Sequence, residues 1–189
     1  MNNAGHGCFG PLLELADGDL RTQFELLVFG PIDLLRRLAP ELRKSARPRV
    51  INVSSLAARL PIPFMAPYSA AKAALANFTA TLRLEAPEIG WIDLQPGDIR
   101  TDFNRPMDAA AAALPQDRAQ QAWQKMEASM NAAPGAEVVA ERIVELAQSD
   151  QVPPSVVVGD FTQAKLAPFA QRLLPTAWME GFLRRHYFG

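Results

Sequence analysis

Val50-Ile51-Asn52-Val53-Ser54-Ser55, followed by Ala66-Pro67-Tyr68-Ser69-Ala70-Ala71-Lys72-Ala73-Ala74-Leu75, decides how this chain is read. The first run is apolar and β-branched and closes on two hydroxyls, so it reads as a buried strand delivering Ser54 and Ser55 to its carboxyl end. The second opens a helix. Tyr68 and Lys72 stand four positions apart, on one helix face, with Cβ atoms about 5–6 Å from each other. A free tyrosine has a pKa near about 10 and is a reluctant base at neutral pH. A neighbouring ammonium favours the phenolate, so Lys72 is expected to lower the Tyr68 pKa toward the working range. Ser55, thirteen residues before Tyr68, is placed to hydrogen-bond the oxygen undergoing reaction. A Tyr-x-x-x-Lys pair by itself also arises as an ordinary pair on a helix surface. The strand ending in Ser-Ser and the gap between the two runs separate this pair from that case.

Outward from this stretch, the chain of 189 residues, 49% hydrophobic with net charge −1, reads as one α/β unit. Its charge carries no nucleic-acid footprint. One cysteine, Cys8, excludes an internal disulfide and fits a reducing, cytoplasmic setting. The start has neither a basic nor an apolar leader region, and no apolar run reaches the ~18 residues of a spanning helix. His6 and His186 lack ligand-spaced partners, so no metal site is assigned.

Leu20, Phe24, Leu27, Val28, Leu34, Leu35, Leu38 and Leu42 recur at helical steps from Asp17, expected as N-cap, to about Ser45, with kinks expected at Pro31 and Pro40. Leu56 to Pro67 is an apolar, proline-punctuated loop over the site, its Pro61-Ile62-Pro63-Phe64-Met65 suited either to an apolar substrate or to ordinary packing. Trp91 to Gln95 reads as the next strand, with Asp93 interrupting its apolar run and placing its register in question. Asp102 to Met130 has few large apolar residues and reads either as a mobile lid or as surface helices. Ala136 to Ser149 is an amphipathic helix, and Ser155 to Gly159 a buried strand. The tail from Phe161 to Gly189 mixes aromatic, apolar and basic residues, which suits packing over a pocket, a dimer contact or a membrane surface.

Met1-Asn2-Asn3-Ala4-Gly5, Asn52-Val53-Ser54-Ser55, Tyr68-Ser69-Ala70-Ala71-Lys72 and Pro96-Gly97-Asp98-Ile99-Arg100-Thr101 together resemble, in that order, the short-chain dehydrogenase/reductase family. The resemblance implies the C-terminal part of a Rossmann-type, doubly wound parallel sheet, without its first strands and its glycine-rich turn. Residues 1–189 would then be a single, incomplete dinucleotide-binding domain with 161–189 a helical tail, beginning mid-domain and leaving the Ser-Ser strand as a naked edge. It implies an oxidoreductase using NAD or NADP, with Ser55, Tyr68 and Lys72 catalytic. Asn3, Ala4 and Gly5 would line the adenosine side, Tyr68 and Lys72 the ribose, and Pro96, Gly97, Ile99 and Thr101 the nicotinamide. The implied partners are a small apolar ketone or secondary alcohol and further copies of the chain, which meet along the Tyr68 helix. One position departs from the family: Leu27 stands where its catalytic asparagine is expected. The alternative reading is therefore a catalytically silent remnant or interaction protein that keeps the fold.

Overall fold

The computed structural model describes residues 1–105, 107, 110, 114, 118–160 and 174–189. Three parallel strands, β1 (Arg49–Val53), β2 (Gly90–Pro96) and β3 (Ser155–Val158), lie in the order β1-β2-β3. Ahead of β1 run α1 (Asp17–Phe24) and α2 (Gly30–Leu42), joined by a π-helical turn, Glu25–Phe29. The helix α3 (Ala66–Glu85) connects β1 to β2, while α4 (Arg118–Ala132) and α5 (Glu137–Gln148) precede β3 and α6 (Thr176–Phe188) ends the chain. This is the α/β architecture expected from the alternation of β-branched runs with helical periods.

Helices cover both faces of the sheet, which is why β1 and β2 are largely apolar. On one face Val50 and Trp91 pack with Leu35 of α2 and with Ala86 and Ile89. On the other, Ile51, Val53, Ile92 and Leu94 meet Leu146 of α5, with Val139 and Ile143 beside it. Each such aliphatic side chain removed from water contributes about 1.5–3 kcal/mol. β3 is half-buried rather than buried, because it forms the edge of the described sheet.

The first helical stretch differs from the expectation. Ala16, not Asp17, holds the cap position, and the break falls at the π turn rather than at a proline. The helical backbone is continuous through that turn, and Pro31 stands two residues beyond it, while Pro40 lies inside a helix that ends at Leu42. Nor is the outer edge of β1 bare: the Asn2 amide donates to Ile51 O and the Val53 amide to Asn2 O, both at 2.9 Å. That single parallel bridge, reinforced by Asn2 Nδ2 donating to Asn52 Oδ1 at 2.7 Å, anchors the N-terminal loop beside the end of β1.

The register question raised by Asp93 is settled by its neighbours. Asp93 pairs in parallel register with Asn52 and is buried between them and the rest of the α3 side. Its carboxylate accepts from Ser54 Oγ and from Gln95 Nε2, while Asn52 Nδ2 donates to Thr79 Oγ1 of α3 at 2.8 Å. The face under α3 therefore carries a hydrogen-bonded polar layer, which holds strand and helix in one register.

Candidate active site

β1 ends in a fork. Ser54 turns inward to Asp93, while Ser55 turns outward and caps a short 3₁₀ turn, Leu56–Ala58, by accepting the Ala57 amide at 3.1 Å. Across from it, α3 presents Tyr68 and Lys72 on successive turns of its buried face. Lys72 Nζ donates to Val53 O at 2.7 Å and stands 5.7 Å from the centre of the Tyr68 ring. Close approach also explains Gly5. A Cβ there would come within 2.7 Å of Leu27 Cδ2, so any larger residue would have to displace the buried Leu27 side chain.

The electrostatics correct one expectation. The Tyr68 pKa is raised, not lowered: burial outweighs the hydrogen bond from Ser55, and Lys72 is not among the causes that move it. The reason is desolvation, which penalises the phenolate more than a neighbour beside the ring can repay. Burial likewise lowers the Lys72 pKa to about 8, with Asp93 pulling in the opposite direction. Lys72 is thus still an ammonium at neutral pH. Asp93 itself is pushed up by burial, against the bonds from Ser54 and Gln95.

Ser55, Tyr68 and Lys72 open into one cavity of about 1450 Å³ at the carboxyl ends of β1 and β2. Asn3, Gly5, Pro96, Gly97, Ile99 and Thr101 line it as well; Ala4 does not. Its remaining wall is mostly apolar, with Ile62 and Met65 from the loop after β1, Phe103, Met126 of α4 and one side of α6, interrupted by Asp98, Asp102, Lys125, Ser129, Asp160 and His186. Phe103 packs on the Tyr68 ring with centroids 5.4 Å apart. A second cavity of about 400 Å³ lies at the opposite end of the strands. Its guanidinium groups are engaged: Arg47 with Asp150, Arg49 with Leu146 O, and Arg83 with Trp91 O and Val152 O.

Leu27 lies in the π turn and is 1% exposed, packed in the cluster that holds Tyr68, Ala71 and Met65. π turns inside helices recur at functional sites, and here one marks the position where the family's asparagine is expected. Of the range Asp102–Met130, residues 106, 108–109, 111–113 and 115–117 lie outside the described residues; the part in α4 lines the cavity through Lys125, Met126, Ser129 and Met130 and buries Ala119, Ala122, Trp123 and Met126, with Trp123 edge-on to Phe9 at 4.8 Å. Small residues on its inner face let the helix seat closely, a signal that few large apolar residues conceal. Residues 161–173 of the expected tail lie outside the described residues. Sequence reasoning missed Asp93 as a partner of the site, and Phe103 and Met126 as its walls. An isolated acid inside an apolar strand was the available clue to the first. Among the described residues, no three His, Cys, Asp or Glu side chains converge as a metal would require.

The family described as short chain dehydrogenase matches residues 1–112. Among its relatives, the chain is 26% identical over 197 residues to a probable short-chain type dehydrogenase/reductase, VdlC, of Helicobacter pylori, covering 97% of this chain and 69% of that protein. It is 29% identical over 191 residues to an NADPH-dependent 1-acyldihydroxyacetone phosphate reductase of Saccharomyces cerevisiae, covering 98% of this chain and 63% of the yeast protein. A solved short-chain dehydrogenase/reductase from Burkholderia phymatum, in complex with NAD, shares the fold with a TM-score of 0.74 at 24% identity, over 91% of this chain and 63% of that one. The chain thus spans 63–69% of the length of these proteins.

Proposed function

The chain belongs to the short-chain dehydrogenase/reductase family, and from that premise we propose that it is the catalytic part of an NAD- or NADP-dependent oxidoreductase acting on an apolar ketone or secondary alcohol. One observation carries the reading: Ser55, Tyr68 and Lys72 meet in a single cavity whose other walls are mostly apolar. The groups along its Gly5 and Pro96 sides suit a nicotinamide and its ribose. Glycine at position 5 leaves the approach to the Lys72 ammonium clear of side-chain bulk, and Thr101 contributes a hydroxyl on the same cavity. Lys72, Pro96, Gly97, Ile99 and Thr101 would hold that half of the cofactor, with Asn3, Ala4 and Gly5 toward its adenosine side. The described residues contain no glycine-rich turn opening a helix to receive a pyrophosphate.

Bound there, the nicotinamide supplies or accepts the hydride. Tyr68 gives its phenolic proton to the carbonyl oxygen in reduction and recovers it in oxidation. Burial keeps the phenol protonated at neutral pH, the state reduction needs. Ser55 holds the substrate oxygen against Tyr68. The Lys72 ammonium would steady the phenolate as it forms and would hold the ribose hydroxyls of a bound cofactor, and Asp93 favours its charged form.

The outer faces of the π turn, α2 and α3 leave Phe29, Leu34, Leu38, Phe78 and Leu84 exposed, an apolar area suited to pairing with a second copy. No helix among the described residues is long and apolar enough to cross a membrane, and with Cys8 as sole cysteine we place the protein in the cytoplasm.

The test is titration of reduced nicotinamide cofactor into the 189-residue chain, read by nicotinamide fluorescence. Saturable binding that weakens when Lys72 is replaced by Met supports the reading, and no binding sinks it for this chain. Leu27 favours a second reading, a silent protein keeping the fold, since it offers Lys72 no polar side chain and Lys72 turns to Val53 O instead. Cofactor binding without any turnover of apolar ketones would favour that reading.

A further inference from the structure

The cavity has a volume of about 1450 Å³, above the roughly 300–1,000 Å³ that encloses a drug-sized ligand. Ser55, Tyr68 and Lys72 share it with α6, which contributes Trp178, Met179, Phe182, Leu183 and Tyr187 to its wall. Tyr187 packs against the cluster that holds Tyr68, and Trp178, nine residues earlier on the same helix, lies about 13 Å farther along it. Trp178 is 71% and Phe182 64% exposed, although both line this concave wall. Two large, exposed apolar side chains on a cavity wall that Ile62 and Met126 also line are groups that an apolar ligand would cover. The C-terminal end of α6 is anchored: Arg118 lies over the Phe188 ring at 4.2 Å, Phe188 meets Phe64 edge-on at 6.5 Å, and Tyr187 is buried enough for its pKa to rise to about 12. The wall is therefore held beside the Tyr68 cluster while the apolar stripe along the rest of the helix stays uncovered.

Resting on the oxidoreductase reading above, we infer that the substrate is a long, unbranched-chain ketone or alcohol whose hydrocarbon chain lies along Trp178 and Phe182 of α6 while its oxygen meets Tyr68 and Ser55. The occupant is a flexible chain rather than a compact ring, because the wall is a helix-long stripe leading away from the reactive groups. Chain length is then the specificity variable, and α6 reads it.

The experiment is calorimetric titration of the 189-residue chain with 2-hexanone, 2-octanone, 2-decanone and 2-dodecanone. Burial of each added methylene predicts affinity rising about fourfold per carbon. Phe182→Asp, or Trp178→Ser as a second variant, should flatten the series with the circular dichroism spectrum unchanged. A flat series in the unsubstituted chain overturns the inference. So does chain-length dependence that survives both variants. Two other occupants would also overturn it: a dimer that Phe182→Asp splits in size-exclusion chromatography, or Phe182-dependent sedimentation with neutral phosphatidylcholine vesicles. A steep series in a chain that binds no reduced nicotinamide keeps α6 as the wall that reads hydrocarbon length and removes the oxidoreductase reading. A flat series beside nicotinamide binding and 2-hexanone turnover does the reverse.

Discussion

At one end of the cavity Tyr68 and Lys72 project from a helix of 20 residues seated on the sheet; at the other, Trp178 and Phe182 project from a helix of 13 that buries none of its residues. Lys72 is 4% exposed and tied to a strand carbonyl, whereas Phe182 is 64% exposed, its ring 6.3 Å from that of His186 on the same helix. The difference teaches where chemistry and selectivity are stored. Groups that exchange protons need fixed distances and a dry setting, so they sit where the backbone is best braced. A surface that accepts hydrocarbon needs only area and shape, so it can be assigned to the periphery.

The strongest way to break this contrast is at Tyr68. Tyr68→Phe should reduce ketone turnover by about 10²–10⁴-fold while the unfolding midpoint hardly moves, as steady-state kinetics beside thermal denaturation would reveal. Retained turnover would remove Tyr68 from the mechanism. Next comes the brace itself: Leu75, 2% exposed on α3, should lose about 2–5 kcal/mol of stability on change to Ala, measured by urea unfolding. A smaller loss would mean that α3 is less firmly seated than its burial indicates.

Acid–base coupling sharpens the comparison. The folded-state pKa of Lys72, about 8, lies below the unfolded value of 10.5. Between these values the unfolded chain binds more protons, so stability rises with pH, by up to about 3 kcal/mol. Above pH ~10 the raised Tyr68 and Tyr187 pull the other way, so the rise is sought between about pH 8 and 10. It should be absent from Lys72→Met. Asp93 acts with opposite sign: its raised folded pKa makes stability fall as pH climbs above 3.8, until the folded carboxyl has ionised. Asp93→Asn should remove that acid-side fall, with unfolding free energies against pH as the readout. The smallest effect belongs to the periphery. Phe182→Asp should change stability by no more than about 0.5 kcal/mol, whatever it does to ligand affinity.

Much of the frame was legible in local sequence. Val50–Val53 and the Tyr68 helix were readable because β-branched runs and helical periods are short-range patterns. The Trp91 strand was readable too, and Asp93 within it looked like a flaw only because its partners, Ser54 and Asn52, lie some forty residues earlier. The π turn at Leu27 escaped a reading that gave the break to proline, since an i→i+5 turn has no residue type of its own. The direction of the Tyr68 shift escaped for a different reason: proximity to Lys72 follows from spacing, but desolvation depends on what else covers the ring, including Phe103 from beyond β2.

By itself, then, the sequence determined the α/β class, the strand that carries Ser54 and Ser55, and the helix spacing that sets Tyr68 beside Lys72, all consequences of steric and periodic rules acting within a few residues. Only the tertiary structure decided that Asp93 lies under Lys72, that α4 enters the core and that α6 walls the cavity. Those outcomes depend on burial, and burial is decided by segments distant in the chain competing for the same dry space.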